Sequence, residues 1–331
     1  MRERARVEEY FEQIGAPPDY GRLKFAERET SPPNDNIRPA ADPAEFGIPD
    51  ESKFEPEIVL PAEQSSAVSQ ELFFRASDFH GVDVPRRRWL VPGRIPLGAV
   101  TILSGDGSAG KTLLTLQLGY GVTAGLPDWL GATIEEHGPA MFVTAEEERD
   151  EVHRRLDAIA QHHGHAFSAL DGFHLCCLSG EESLLCIAER DRSIKPTKLF
   201  ERIEAKAKEV KPKLIVIESA ADVFGGIEFD RGQARQFIQL LRRLAISAGG
   251  AAVILLQHPS VAGLAEGQGR SGSTGWRNSA RSMLYLSSMK HKEDDPDGDL
   301  RELRVVKANY ARDGESVKIR YYGANATRMQ P

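Results

Sequence analysis

One short motif constrains the fold more than any other part of the 331-residue chain. Residues 105–112 read Gly-Asp-Gly-Ser-Ala-Gly-Lys-Thr, which satisfies the phosphate-binding pattern G-x-x-x-x-G-K-[ST]. The pattern becomes specific where a strand precedes it and a helix follows it. Both are predicted here, because residues 98–103 form an apolar run and residues 111–123 have a helical pattern. The chain is therefore expected to bind a nucleoside triphosphate.

The residue types in this motif suit the chemistry of phosphate binding. Small residues let backbone N–H groups surround the β-phosphate, and the helix N-terminus adds its partial positive charge. Lys111 is expected to reach the β- and γ-phosphates, and the Thr112 hydroxyl to bind Mg²⁺. ATP and Mg²⁺ are thus the predicted cofactors. The predicted nucleotide-binding residues are Gly105, Asp106, Gly107, Ser108, Ala109, Gly110, Lys111, Thr112 and Leu113.

Further apolar runs predict the rest of a sheet, at residues 139–144, 213–217, 251–256 and 282–286. Continuous apolar runs of this kind are typical of parallel strands buried on both faces. Helical stripes lie between them, with members Val152, Leu156, Ile159, Phe237, Ile238, Leu241, Leu244 and Ala245. Residues 303–309 and 317–322 flank Ala-Arg-Asp-Gly and predict a hairpin. The predicted fold is α/β, with a mostly parallel central sheet flanked by helices and a C-terminal β-hairpin extension.

The chain is predicted to have three regions. Residues 1–27 form a short N-terminal arm with one amphipathic helix, because residues 7, 10, 11 and 14 are apolar at helical spacing. Residues 28–80 are rich in proline and carboxylates and have few clustered apolar residues, a composition typical of a flexible linker. Residues 81–331 form the nucleotide-binding domain.

Composition limits the partners and the compartment. The net charge of −7 gives no global attraction to nucleic acid, so any DNA contact requires a local basic patch. The three cysteines form no C-x-x-C pair, which argues against a disulfide or zinc framework. No stretch approaches the roughly 20 apolar residues of a membrane span. A cytoplasmic protein without membrane contact is expected.

Carboxylates follow two of the predicted strands. Residues 139–144 are followed by Ala-Glu-Glu-Glu, and Glu146 is predicted to orient the water that attacks the γ-phosphate. These acids also suit the first turn of the next helix. Residues 213–217 are followed by Glu218, where P-loop enzymes usually carry an aspartate that helps to hold the metal. The predicted metal-binding residues are Thr112, Glu218 and Asp222.

A histidine and a basic segment follow the strand at residues 251–256. His258 stands at the carboxyl edge of the sheet and is predicted to sense the γ-phosphate. Residues 261–278 are rich in glycine and serine, as expected of a mobile loop. We predict that Arg270 and Arg277 in this segment contact DNA phosphates and that Trp276 stacks on a base. The alternative is an ordinary surface loop.

Residues 84–322 resemble the RecA-like ATPases typified by the hexameric plasmid-replication helicase RepA, a family related to the DnaB-type replicative helicases. The resemblance implies a RecA-like core, a homohexameric ring, and an ATP site at each subunit border that the neighbour completes. It assigns Arg281 and Lys307 that completing role, beside Lys111, Glu146 and His258. The matching motifs lie at residues 89–93, 105–112, 145–146, 224–231, 258–260, 271–281 and 307–310.

This resemblance predicts a Mg²⁺-ATP-dependent motor, an ATP hydrolase that acts as a DNA helicase on single-stranded DNA in phage, prophage or plasmid replication. A primase or another replication factor is the expected partner of the N-terminal arm. The chain departs from the family in carrying Glu218 instead of aspartate and in residues 1–80, which have no counterpart.

Two alternatives remain open from the sequence. One is a RecA- or KaiC-like ATPase switch in recombination, signalling or defence, which hydrolyses ATP without unwinding DNA. The other is a nucleotide-binding scaffold in which Glu218 marks the loss of turnover.

Overall fold

The computed structural model describes residues 73–259, 273–289, 295 and 297–329. By its internal contacts the chain divides into two units, residues 1–76 and 77–331, and only residues 73–76 of the first unit are described. The predicted N-terminal helix, most of the predicted linker and Arg270 lie outside the described residues.

The strands of the described residues, in chain order, are as follows. They are β1 (Trp89–Val91), β2 (Ile95–Pro96), β3 (Val100–Gly105), β4 (Asp128–Trp129), β5 (Ala132–Thr133), β6 (Ala140–Thr144), β7 (Phe173–Cys177), β8 (Cys186–Ala188), β9 (Ile194–Pro196), β10 (Leu214–Glu218), β11 (Phe224–Gly225), β12 (Ala252–Gln257), β13 (Ser282–Ser288), β14 (Leu300–Ala308), β15 (Ser316–Tyr322) and β16 (Asn325–Arg328).

The helices of the described residues lie between these strands. They are α1 (Lys111–Ala124), α2 (Arg149–His163), α3 (Lys198–Val210), α4 (Ala220–Val223), α5 (Arg231–Ser247) and α6 (Thr274–Ser279), with single 3₁₀ turns at Ala76–Phe79 and Phe167–Leu170. None of these helices is long and apolar enough to cross a membrane.

A nine-stranded sheet in the order β16-β15-β14-β13-β3-β12-β10-β6-β7 forms the centre of the second unit. The strands from β13 to β7 pair in parallel, whereas β14, β15 and β16 continue the sheet with antiparallel pairing. Strands β3, β6, β10 and β12 are buried at every position. The predicted fold class, including the C-terminal hairpin, is confirmed.

Helices cover both faces of this sheet. One apolar core lies under α1 and α2 and contains Val152, Leu156 and Ile159, and the other lies under α3 and α5 and contains Phe237 and Leu241. These residues belong to the stripes that the sequence predicts. Helix α1 is buried along most of its length because the sheet, α2 and β16 all pack against it.

Two elements of the sheet were not predicted. Strand β7 extends the parallel sheet beyond β6; it is only partly buried, with Leu175 at 44 % exposure, and His174 interrupts its apolar residues. Strand β16 pairs with β15 after a short turn at residues 323–324, so the C-terminal extension is a three-stranded meander.

Thr197 caps helix α3, and its loss should destabilise the domain. Its hydroxyl accepts a hydrogen bond from the Phe200 N–H at 3.3 Å and donates one to the Leu184 carbonyl at 2.7 Å. We expect Thr197→Ala to lower the free energy of unfolding by about 1 to 2 kcal/mol in chemical denaturation. Thr197→Ser keeps the hydroxyl and serves as the control. Equal stabilities of the two variants would contradict this role.

Candidate nucleotide-binding site

The phosphate-binding motif forms the turn between β3 and α1, as predicted. The turn depends on two residues with positive φ, Ser108 at 59° and Gly110 at 96°. Glycine suits the second position because it adopts this conformation at little cost. Gly110 gives α1 no side-chain cap, so the first amides of the helix suit an anion.

A cavity of about 490 Å³ lies beside this turn. It is lined by motif residues from Ser108 to Leu113 and by the ends of three neighbouring strands and the loops that follow them. Glu146, Glu218 and His258 line it together, so the structure places three sequence-predicted residues at one site. They meet because the carboxyl ends of parallel strands lie at the same edge of a sheet.

The Lys111 ammonium lies inside the turn. Its Nζ donates hydrogen bonds to the carbonyl oxygens of Gly105 at 2.9 Å and Asp106 at 3.0 Å. Burial lowers the pKa of Lys111, and the negative charges of Glu146, Glu218 and Asp106 oppose this shift. The cation therefore lies where the phosphates of a bound nucleotide would meet it.

Glu218 is the buried acid of the site, at 2 % exposure. It is in register with Thr144 on β6 and accepts hydrogen bonds from the Thr144 hydroxyl at 2.8 Å and from the Thr112 hydroxyl. Burial raises the pKa of Glu218 to about 7, and the two hydroxyl hydrogen bonds oppose the rise.

Thr112 and Glu218 together suit a magnesium ion. Both offer oxygen atoms, which Mg²⁺ prefers as ligands. The side-chain hydrogen-bond partners of Glu218 within the described residues are both hydroxyls, so its buried carboxylate has no hydrogen-bonded cation. A metal ion at this position would compensate that charge.

Glu146 and His258 are neighbours in the lining of the cavity. The Glu146 Oε1 and His258 Nε2 atoms lie 3.6 Å apart, and both side chains are about half exposed. The backbone N–H groups of Glu146 and Glu147 donate to the Thr144 hydroxyl at 3.2 Å and 3.1 Å. Thr144 thus fixes the turn that carries Glu146 while it also holds Glu218.

Two residues of this site were not predicted from the sequence. Thr144 was counted as the end of a strand, and its role depends on its register with Glu218, which a single strand does not encode. Arg155 lines the cavity and pairs with Glu147 at 2.8 Å and with Glu151 at 2.9 Å. Residues 151 and 155 are four apart on α2, a spacing that places them on one helix face and could have indicated their pair, whereas Glu147 precedes the helix.

The fold and the site agree with a comparison against known families. A family model described as an AAA domain matches residues 66–263, more than half of the chain. The chain belongs to this AAA domain family. It is therefore an AAA-type P-loop ATPase domain. No curated protein matches the chain.

Asp222, a predicted metal ligand, lies on the short helix α4. It does not appear among the described residues that line the cavity, and its Oδ2 accepts a hydrogen bond from the Ser219 hydroxyl at 2.5 Å. Ser219 itself lines the cavity, so the Asp222 carboxylate lies next to a lining residue, and metal binding by Asp222 stays a prediction.

Trp276 is a core residue, so the prediction that it stacks on a base is wrong. Its side chain is 1 % exposed, its ring packs edge-on against Phe224 at 5.0 Å, and its Nε1 donates to the Glu228 carbonyl at 3.2 Å. The neighbouring Arg277 is half-buried and donates to the Val306 carbonyl at 3.2 Å. DNA contact by Arg277 stays a prediction.

Arg281 and Lys307 lie at the edge of the sheet opposite the phosphate-binding turn. The Arg281 N–H donates to the carbonyl of Val100, at the start of β3, whereas the turn begins at the other end of that strand. At about 3.3 Å per residue, β3 separates the two edges by roughly 17 Å. Lys307 donates to the carbonyls of Arg277 and Ala280 at the end of α6. Neither cation lies at the cavity of its own chain.

The pKa of Glu218 predicts a pH-dependent stability difference. The folded protein holds the proton of the Glu218 carboxyl group more tightly than the unfolded chain does. The free energy of unfolding therefore falls as the pH rises from 4.5 to about 7. Without metal or nucleotide, Glu218→Gln should exceed the wild type in stability by roughly 2 to 4 kcal/mol at pH 8. Chemical denaturation should show this advantage shrinking as the pH falls to 4.5.

The exposed Glu148 provides the matched control. Glu148→Gln removes a carboxylate from the same acidic run and should give no comparable gain in stability at pH 8, because that side chain is exposed to solvent. A constant difference for Glu218→Gln would contradict the burial of an ionising carboxylate.

Proposed function

We propose that this AAA-type ATPase domain works in a homohexameric ring that hydrolyses Mg²⁺-ATP to move along single-stranded DNA. The motor unwinds duplex DNA during phage, prophage or plasmid replication. Residues 1–80 recruit a primase or another replication factor. AAA-type ATPases commonly oligomerise and bind nucleic acids, which supports this class of function.

One observation carries the proposal. His258 lines the nucleotide cavity 3.6 Å from Glu146, and the glycine-rich segment 261–278 with Arg270 and Arg277 begins three residues later. A change at the γ-phosphate therefore has a short covalent path to a segment whose composition suits DNA phosphates.

The residues of the cavity supply the parts of phosphoryl transfer. Lys111 stabilises the negative charge of the β- and γ-phosphates, and Arg155 adds a second cation to the same cavity. Thr112 and Glu218 would hold Mg²⁺, which would neutralise phosphate charge when bound. Glu146 positions the attacking water, and His258 contacts the γ-phosphate and responds to its loss.

Arg281 and Lys307 act on the ATP of a neighbouring subunit. Their position at the far edge of the sheet supports this, because neither can reach the phosphates of its own chain. The buried Nε of Arg281 has no hydrogen-bond partner among the described residues. An arginine supplied from a neighbour contributes on the order of 10³ to 10⁵ in rate, so an isolated subunit should be a slow ATPase.

Phe229 replaces Trp276 as the candidate for base stacking. Its side chain is 70 % exposed on the loop between β11 and α5, and with His258 it lines a second cavity at the carboxyl edge of the sheet. An exposed aromatic face can stack on any base, which suits a motor that moves over every sequence.

Native mass measurement and ATPase assays test this function. With Mg²⁺-ATP and single-stranded DNA, the wild type should form hexamers, hydrolyse ATP faster than without DNA, and displace a strand from a forked duplex. Lys111→Ala is the negative control. If the protein stays monomeric and single-stranded DNA does not stimulate its ATPase activity, the motor proposal is overturned. Assembly and hydrolysis without strand displacement would favour the switch alternative.

Mixing two variants tests the shared site. Arg281→Ala should lose most ATPase activity, as should Lys111→Ala, because each removes one side of every composite site. In a mixture, sites that combine an intact Lys111 with a neighbour's intact Arg281 form again, and activity should partly return. Arg312→Ala, on the exposed hairpin turn, is the control and should stay active. Activity of Arg281→Ala equal to this control would contradict the role.

A further inference from the structure

We infer that the C-terminal strands β13, β14 and β15 hold the phosphate-binding turn in its working shape, with Tyr285, Arg301 and Tyr321 as positioning residues. These residues lie beyond residue 263, where the family match ends. The inference rests on nucleotide binding alone and is independent of DNA and of ring formation.

A phosphate-binding turn needs partners on the side away from the phosphate. When successive N–H groups point at an anion, the carbonyl groups between them point elsewhere and must be hydrogen-bonded if they are buried. Each peptide group is rigid, so a bond to its carbonyl also fixes the direction of its N–H. Side chains that bind these carbonyls therefore act on nucleotide affinity without contacting the nucleotide.

Tyr321 fixes the last residue of the turn before the helix. Its hydroxyl donates to the Gly110 carbonyl at 2.9 Å, which also accepts the Leu114 N–H of α1 at 2.9 Å. The fit is close, because a Cβ atom at Gly110 would lie 2.6 Å from the Tyr321 Oη. Tyr321 is 8 % exposed, and burial raises the pKa of its hydroxyl, which therefore stays protonated and able to donate.

Arg301 fixes the preceding residue. Its Nε donates to the carbonyl of Ala109, itself fully buried, at 3.2 Å. The Nη1 of Arg301 donates to the carbonyls of Gly298 at 2.7 Å and Leu300 at 2.8 Å, so backbone carbonyls bind both Nε and Nη1 of the guanidinium. Strands β14 and β15 thus contact consecutive carbonyls of the turn.

Tyr285 fixes the other end of the turn. Its hydroxyl donates to Asp106 Oδ1 at 2.6 Å, and the Ser288 N–H donates to Oδ2 at 3.4 Å. The Asp106 N–H in turn donates to the Leu286 carbonyl at 3.2 Å. The side chain and the N–H of Asp106 thus bind β13, and contact of Asp106 with a nucleotide stays a prediction.

Removal of one hydroxyl tests the inference. Tyr321→Phe should weaken the binding of Mg²⁺-ATP roughly 3- to 10-fold, the effect expected of one lost hydrogen bond. In ATPase assays KM should rise while kcat at saturating ATP stays within twofold. Tyr322→Phe, one residue along and 59 % exposed, is the matched control and should bind like the wild type. Tyr285→Phe should behave like Tyr321→Phe.

Thermal unfolding of each variant separates positioning from general damage. Binding is measured well below the midpoint temperature, so a folded Tyr321→Phe with weakened affinity supports the inference. The inference is overturned if Tyr321→Phe binds Mg²⁺-ATP as tightly as Tyr322→Phe does, or if both variants lose affinity equally. If the wild type binds ATP but its ATPase activity does not respond to DNA, the motor proposal fails while this inference still holds.

Discussion

Parallel pairing of β3 between β12 and β13 is the constraint on which the rest of the structure depends. Together with the parallel pairing of β10 with β12 and of β6 with β10, it brings the carboxyl ends of β6, β10 and β12 to one edge, where Glu146, Glu218 and His258 lie. The same pairing sends Arg281 to the opposite edge, because β13 begins where β3 begins. The parallel strand pairing therefore places Glu146, Glu218 and His258, which line the cavity, and Arg281, which does not, at opposite edges of the sheet.

Much of this arrangement follows from the sequence, for a physical reason. Strands buried on both faces are mostly apolar, so β3, β6, β10 and β12 are visible as runs, and the glycine-rich turn marks the phosphate site. The edge strand β7 is half exposed and lacks that signal. Whatever depends only on burial and local conformation could be predicted.

Contacts between distant segments could not be predicted, because they depend on register and packing. Thr144 meets Glu218 only through the pairing of β6 with β10, and Trp276 is buried only because α6 packs against α5. An aromatic ring beside arginines in a glycine-rich segment has the same local signature whether it faces DNA or the core. The burial of Glu218 similarly gives an ordinary strand-end acid a pKa near 7.

The position of β13 has a consequence for any shorter version of this protein. The family match ends at residue 263, but β13, which begins at Ser282, is the strand that pairs with one of the two edges of β3. A fragment cut at that boundary would keep the pairing of β3 with β12 but would leave the N–H and C=O groups on the other edge of this buried strand without partners. Such an edge is a template for intermolecular pairing, so the fragment should aggregate rather than remain as a smaller ATPase.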